Sequence, residues 1–366
     1  MAEAERRRGR GVTTEDVARA AAVSRVTVSR VLNNHHNVTA SVRQRVLQAA
    51  ADLGYLSQRS KVGRAAGDDP ISRPVPVLRE IGFFFTSILP DEPVIGNPFW
   101  SPLLHGVEQE ATAAGIRVTY RSIGEADSLV DPVRSGRLDG VLLVGPASEA
   151  TVRALHGAGR PLVLVDNVVP GVPVDAVLGD SFGGGRAAVA HLVEVGHRDI
   201  AFIGGPFRVS PPPLRHMTNT IWSVEQRALG YWTALSEAGI RPDDALYEGD
   251  NLTTAGGYAA CRRLLASGRR LTAIFCANDQ TAIGAMRALH EAGLAVPRDV
   301  SVIGFDDIAI AQHLIPPLTT VRMDTEAIGA WAVRRLVARA LAPAAITSTT
   351  ALHVELVPRG TVALPH

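Results

Sequence analysis

The sequence predicts a two-part chain: a small N-terminal all-α head with helix-turn-helix spacing, then an α/β core of two doubly wound lobes. Three observations carry this. Residues 1–66 hold twelve Lys and Arg against five Asp and Glu, whereas the other 300 hold 25 against 31. Residues 12–55 carry three short helical patterns. From Glu80 onward, apolar runs alternate with amphipathic ones, the pattern of parallel strands joined by crossover helices. At 366 residues, 46% of them hydrophobic, there is material for two or three domains with large cores.

The same inventory excludes several classes. No run of about 18 uncharged apolar residues is present, and "MAEAERRRGRG" has no apolar stretch behind its arginines. Neither a membrane span nor a signal peptide is therefore expected. Cys261 and Cys276 fit no disulfide framework and no metal spacing, and read as buried thiols in a reducing cytoplasm.

Thr13 or Thr14 is placed to cap a first helix, with Glu15 and Asp16 in the first turn where the helix dipole favours them. Val17, Ala20 and Ala21 form its apolar stripe. Ser24 can cap a second helix with inner face Val28, Val31 and Leu32, about three residues on, as in a helix-turn-helix. A third amphipathic helix follows through Val42, Val46, Ala49 and Leu53, with Tyr55 closing the unit. Arg25, Val26, Ser29 and Arg30 point away from this miniature core. Such a face fits the DNA major groove, where arginine binds guanine in bidentate fashion and Val26 meets a thymine methyl. Thr27, Asn33 and Asn37 have the short polar groups that contact phosphates. A protein-docking bundle would show many of the same features.

"VTTEDVARAAAVSRVTVSRVLNNHHNVTASVRQRVLQAAADLGY" resembles the DNA-binding headpiece of the LacI/GalR family of bacterial transcriptional regulators. The resemblance implies that Arg25, Val26 and Arg30 read bases, with Thr27, Ser29 and Asn33 near the backbone. Ala22 stands at the turn where the family usually has glycine. Residues 56–78 shift from basic and polar to Gly-, Asp- and Pro-rich, a linker by composition. In the family its first part becomes a short hinge helix on DNA, and a leucine from each protomer enters the minor groove. Here Ser57 replaces the usual proline, Arg64 takes the leucine's place, and Gly63 weakens a helix. Two readings stay open: Val62 as the wedge in a shifted register, or Arg64 drawn electrostatically into a narrow groove.

In the core, "IGFFFT", "IRVTY", "DGVLLVG", "PLVLVD", "IAFIGG", "TAIFCAND" and "VSVIGFDD" read as buried parallel strands. Segments 99–114, 183–196, 223–239, 279–293 and 324–341 read as helices. Polar residues recur where strands end: Thr86, Asp166, Asn278 with Asp279, and Asp306 with Asp307. Open α/β sheets bind ligands outside the carboxyl ends of their strands. Each residue alone is explained as a helix cap or turn; two facing lobes would bring the set together. Carboxylates, an amide and a hydroxyl converging with an arginine suit a polyhydroxylated ligand.

The resemblance extends through "NPFWSPLLHGVEQEATAAGI", "VEVGHRDIAFIGGP", "RALGYWTALSEAGI", "CANDQTAIGAMRALHEAGLAVPRDVSVIGFDD" and "IPPLTTVRMD", and so covers residues 12 to about 360. It implies a periplasmic-binding-protein-like core. Thr86, Asp166, Ser223, Arg227, Asn278 and Asp306 then fall on effector-contact positions, with Phe99 and Trp100 at the cleft mouth. Asn251 replaces an aromatic platform found in some relatives, and Met323 replaces a polar cleft residue. "FRVSPPPLRHMTNTIWS" is an insertion whose prolines exclude a helix and which could bring Trp222 over the entrance.

The expected boundaries are a headpiece over 12–57, a hinge or linker over 58–78 and an effector-binding and dimerisation core over 79–360. Within the core, the first lobe takes about 79–178 and 325–347, and the second about 179–324 and 348–360. "SFGGGRA" lacks the ending of a phosphate loop, and no histidine pair has metal spacing, so no enzyme, metal or cofactor is expected. The expectation is a cytoplasmic, nucleoid-associated homodimer that represses carbohydrate-utilisation genes from a palindromic double-stranded operator and answers to a sugar-like effector. A corepressor-dependent regulator and a sugar receptor with weak or no DNA binding are the alternatives. "ALHVELVPRGTVALPH" reads as a strand and a tail, with no heptad for tetramerisation.

Overall fold

The computed structural model describes residues 13–32, 42, 45–46, 48–50, 78–87, 95–123, 133, 135–209, 217–219 and 221–366. They fall into two compact units, one before and one after the Val75–Pro76 junction.

In the first unit, helix α1 (Thr14–Ala20) opens with a reciprocal cap. The Asp16 amide donates to the Thr13 hydroxyl at 3.3 Å, and the Thr13 amide donates to the Asp16 carboxylate at 2.9 Å. Helix α2 (Arg25–Leu32) starts after Ser24, whose hydroxyl accepts from the Thr27 amide at 3.1 Å. Between them Ala22 adopts φ +53°. An alanine holds this left-handed turn at about 1–2 kcal/mol of strain, which explains why glycine is the easier residue there. The core joins Val17, Ala18, Ala21, Val28 and Val31 to Val46, Ala49 and Ala50 of a third helical segment. Ala18 takes the inward place expected for Ala20, which is exposed. Leu53, Tyr55 and the hinge residues Ser57, Val62, Gly63 and Arg64 lie outside the described residues.

The second unit contains two parallel sheets. The larger is built from β1 (Glu80–Thr86), β2 (Arg117–Ile123), β3 (Gly140–Val144), β4 (Leu162–Val165), β5 (Asp175–Gly179) and β13 (Thr349–Leu352), in the order β13-β5-β4-β3-β1-β2. The smaller contains β6 (Ile200–Gly204), β9 (Tyr247–Gly249), β10 (Ala273–Cys276) and β11 (Ser301–Ile303), in the order β11-β10-β6-β9. Central strands such as "GVLLV" are buried along their whole length, as a sheet covered on both faces requires.

Three expectations change here. "IRVTY" is not a buried strand: β2 lies at the sheet edge and is largely exposed, and its Arg, Thr and Tyr side chains suit an edge. Residues 349–352 pair in parallel with β5, so the strand in 348–360 belongs to the first lobe before the chain returns. The tail is no free end: Thr361 is fully buried, and the Ala363 carbonyl accepts from His197 at 2.9 Å.

Helices α3 (Trp100–Ala113) and α9 (Thr325–Leu341) cover the first sheet; α4 (Glu149–His156) lies on its other face. In the second lobe α5 (Ser181–Val195) packs on α6 (Trp222–Glu237), and α7 (Thr254–Ala266) on α8 (Asp279–Glu291). Each pair meets through glycine: Gly106 and Gly329, Gly185 and Gly230, Gly257 and Gly284. A Cβ on any of them would strike the partner helix's backbone. The antiparallel pair β12 (Thr320–Arg322) and β14 (Glu355–Val357) lies where the chain passes between lobes. The proline-rich insertion starts and ends as a hairpin, β7 (Phe207–Val209) with β8 (Met217–Asn219).

Candidate functional site

Strands β1, β4, β10 and β11 end at a cleft between the two lobes, the place where open α/β sheets bind ligands. Thr86, Phe99, Trp100, Asp166, Ser223, Arg227, Asn278 and Asp306, dispersed over 220 positions, all line it.

The first lobe supplies the aromatic wall. Asn97 accepts from the Phe99 and Trp100 amides at 2.8 and 3.0 Å, which sets the entry to α3. The two rings meet edge to face, with centroids 4.5 Å apart, and Phe85 supports Trp100 from behind at 5.2 Å. Thr86 donates its hydroxyl proton to the Val144 carbonyl at 2.9 Å, which leaves its oxygen lone pairs as acceptors.

Asp166 follows β4 at φ +55° and Asp306 follows β11 at φ +104°, both outside the ordinary range for a residue with a side chain. Ser223, on the second lobe, donates to Asp166 at 3.0 Å and so bridges the cleft. One helical turn later, Arg227 is 3.2 Å from Asp306, stacks 3.8 Å over the Phe305 ring and donates to the Ala277 carbonyl. Ser223, Arg227, Asp166 and Asp306 are all at least nine-tenths buried. Even so, Oδ1 of each carboxylate and Arg227 Nε find no hydrogen-bond partner, Asp306 Oδ1 being held by the Arg227 ion pair instead. Burial pushes the Asp166 carboxyl up to about 6 against the pull of Arg227 and Ser223, and it raises Asp306 too.

Asn278 caps α8 by accepting from the Thr281 amide at 2.8 Å, and its own amide donates to the Leu252 carbonyl at 3.0 Å. The neighbouring carboxylates part company. Asp279 faces inward, where it accepts from the Ile308 amide at 2.8 Å and from Thr320. Asp307 faces away from the cleft. Asn97, Asn251 and Gln280 also line the site. Asn97 and Gln280 had only an alternative signal in the sequence: asparagine before a helix start and glutamine in a first turn are ordinary cap chemistry. Met323 is buried against Gly179, and Trp222 lies outside the lining although Ile221 and Ser223 on either side belong to it.

On the first unit, Arg25 and Val26 are exposed, Val26 by 58%, as a reading surface requires. Thr27 is half-buried, with its hydroxyl 2.9 Å from that of Ser24 in the cap. The side chains of Ser29 and Arg30, and residues Asn33 and Asn37, are not among those described.

Residues 13–58 match the model for bacterial regulatory proteins of the lacI family, and residues 189–362 match the periplasmic binding protein-like domain. The chain is 33% identical to the HTH-type transcriptional regulator CelR of Thermobifida fusca, over 96% of each. It is similar to a solved CelR–cellobiose complex at a TM-score of 0.70 and 30% identity, covering 96% of this chain and 99% of that one. A lac repressor dimer bound to operator and the anti-inducer ONPF gives 0.66 and 28%, covering 97% and 100%.

Proposed function

This chain belongs to the lacI family of bacterial regulatory proteins, and on that premise we propose that it is a transcriptional repressor of carbohydrate-utilisation genes. It binds a palindromic operator as a homodimer, in the cell's own DNA compartment, and releases it when a small sugar-like effector enters the cleft. The observation that carries the effector half is the convergence of Asp166, Ser223, Arg227 and Asp306 from both lobes on one pocket. The DNA half is supported by the exposed Arg25 and Val26 on a capped recognition helix.

Ligand hydroxyls donate to the two carboxylates and accept from the asparagine and arginine groups, and the ring packs on the aromatic wall. Contacts made to both lobes at once favour one lobe arrangement over another. DNA affinity then shifts by the ligand's differential affinity for the two arrangements. The similarity to a cellobiose-bound regulator supports a carbohydrate as the ligand class.

The test has two arms. Selection from random duplexes should return a two-fold symmetric site. A thermal-shift screen with mono- and disaccharides should identify a stabilising compound that releases that duplex. An asymmetric site or none, with no sugar that both stabilises the protein and changes its DNA affinity, removes this reading.

A further inference from the structure

Three residues of the cleft wall, Asn251, Leu252 and Asn278, stand on two segments of the second lobe that a closed ring of hydrogen bonds ties together. The Leu252 amide donates to Asp250 Oδ1 at 2.7 Å, and the Thr281 hydroxyl donates to Asp250 Oδ2 at 2.8 Å. The Thr281 amide donates to Asn278 Oδ1 at 2.8 Å, and Asn278 Nδ2 donates back to the Leu252 carbonyl at 3.0 Å. The ring joins the turn after β9 to the first turn of α8. Two of its members, Asp250 and Thr281, do not line the cleft.

Donor and acceptor chemistry fixes the ring as firmly as distance does. A backbone N–H only donates and a backbone carbonyl only accepts, so Thr281 and Leu252 allow the Asn278 amide a single orientation. Its oxygen turns to Thr281, its nitrogen to Leu252, and one Nδ2 hydrogen stays uncommitted. Asp250 closes the ring because an ionised carboxylate accepts at both oxygens.

The segment that Asp250 holds would not keep its shape alone. Leu252 adopts φ +61°, a conformation that a leucine retains only where its surroundings over-determine it, and both its N–H and its carbonyl are committed to the ring. Beside it, Asn251 Oδ1 accepts from the Thr253 hydroxyl at 2.6 Å, next to the cap of α7. Thr281 is fully buried, so no water replaces its hydroxyl when that group is removed, and the Asp250 oxygen is left without its donor.

We propose that Asp250 is a positioning residue for the effector: through Thr281 and Leu252 it sets the orientation of the Asn278 amide and the place of Asn251 and Leu252 on the cleft wall, and it meets no effector atom itself. The proposal rests on the effector-cleft reading above, and the test keeps the two separable. Full-length protein is titrated calorimetrically with cellobiose, glucose and ribose, and hydrogen exchange of residues 249–256 is measured without sugar. Thr281→Val keeps the branched shape and deletes the hydroxyl. It is expected to weaken sugar binding about tenfold or more and to speed exchange at 249–256, a segment it meets only through Asp250. Thr281→Ser restores the hydroxyl and should stay within about threefold of the unmodified protein, whereas Asp250→Ala should match Thr281→Val. In Asn278→Ala, where no amide is left to orient, adding Thr281→Val should cost less than about threefold more.

Sugar binding that survives Thr281→Val or Asp250→Ala unchanged overturns the proposal and leaves the cleft reading standing. An undiminished loss in the Asn278→Ala background, or a Thr281→Ser variant as weak as Thr281→Val, also overturns it, because the ring then only stabilises the lobe. Unchanged exchange at 249–256 in Thr281→Val removes the ring itself. If none of the three sugars binds the unmodified protein, the proposal falls together with the effector reading. If Asp250→Ala fails to fold, Asp250→Asn, which keeps one acceptor oxygen, takes its place.

Discussion

Asp306 and Asp307 are consecutive, yet their carboxylates serve opposite sides of one strand end. Asp306 lies 3.2 Å from Arg227 in the cleft, whereas Asp307 accepts from Arg322 at 2.8 Å and lies 2.7 Å from Arg359 behind it. The Asp306 amide also donates to the Val321 carbonyl at 2.8 Å. Arg322 ends β12, immediately before the chain passes to α9 and the first lobe. The carboxylate that lines the cleft and the carboxylate that holds a lobe connection therefore stand on adjacent residues.

Asp306→Ala is expected to abolish the effector response while DNA binding survives. It leaves the Arg227 charge buried without its partner, a loss of about 3–5 kcal/mol. Calorimetry with the effector and gel-shift with the selected operator check both halves. A variant that still releases DNA normally on ligand addition removes Asp306 from the site.

Asp307→Asn should act on coupling more than on ligand contact. Effector affinity is expected to stay within about threefold, while the change in DNA affinity on saturation shrinks by about tenfold or more. Hydrogen exchange of residues 320–325 and 353–359 should rise in the same variant. Unchanged coupling with a lowered melting temperature would mean that the Arg322–Asp307–Arg359 cluster only stabilises the lobe.

The Asp166 carboxyl predicts a pH dependence. Its value is raised from 3.8 to about 6, mainly by burial. Above about pH 6 the group is ionised folded and unfolded alike, and the folded state bears the full penalty; as pH falls from 6 towards 3.8, the folded state protonates first and the penalty is relieved. A shift of this size corresponds to about 3 kcal/mol. Asp166→Asn should therefore raise the melting temperature at pH 8, lose about half of that gain at pH 5 and most of it at about pH 4. Effector affinity of the unmodified protein should fall as pH drops through about 6, because the ionised carboxylate is the better acceptor. A lower melting temperature for the variant at pH 8 would show that the buried carboxylate is net favourable.

Gly185→Ala is a test of how α5 and α6 hold Arg227. A Cβ there would stand 2.6 Å from the Arg227 carbonyl oxygen and 2.9 Å from its Cα. Backbone cannot yield as a flexible side chain can, so a destabilisation of about 1–3 kcal/mol is expected, together with weakened effector binding. Denaturant unfolding and calorimetry measure the two effects.

Arg25→Ala should weaken operator binding and flatten the preference at one base pair of each half-site, by about 1–3 kcal/mol. A repeat of the random-duplex selection reads this directly. Uniform weakening at unchanged sequence preference would reassign Arg25 to the phosphate backbone.

Much of this was legible in the chain itself. Thr13 with Asp16 and Ser24 with Thr27 announce their helices, because caps act within one turn. The runs "GVLLV" and "LVLV" announce central strands, because only a doubly covered sheet tolerates continuous apolar residues. The cleft residues were found through strand ends and a family resemblance. The misread elements share a different cause. "RVTYRSI" resembles an interior strand until the strand order puts it at an edge, and residues 349–352 carry no local mark of joining β5. Trp222 adjoins two lining residues, but the α6 helix turns it aside.

The sequence by itself determined the basic head, its capped helices, the strand–helix alternation and the chemistry available at each strand end, because these depend on neighbours a few residues apart. Only the tertiary structure decided which member of each adjacent polar pair, Asn278–Asp279 and Asp306–Asp307, enters the cleft. It also decided that Ser223 reaches Asp166 across the lobes, and that Arg227 meets Asp306 over the Phe305 ring. Those contacts join residues 57 and 79 positions apart. Their geometry is set by the order of the strands and by helices that approach through glycine, and neither leaves a trace within the span of a single element.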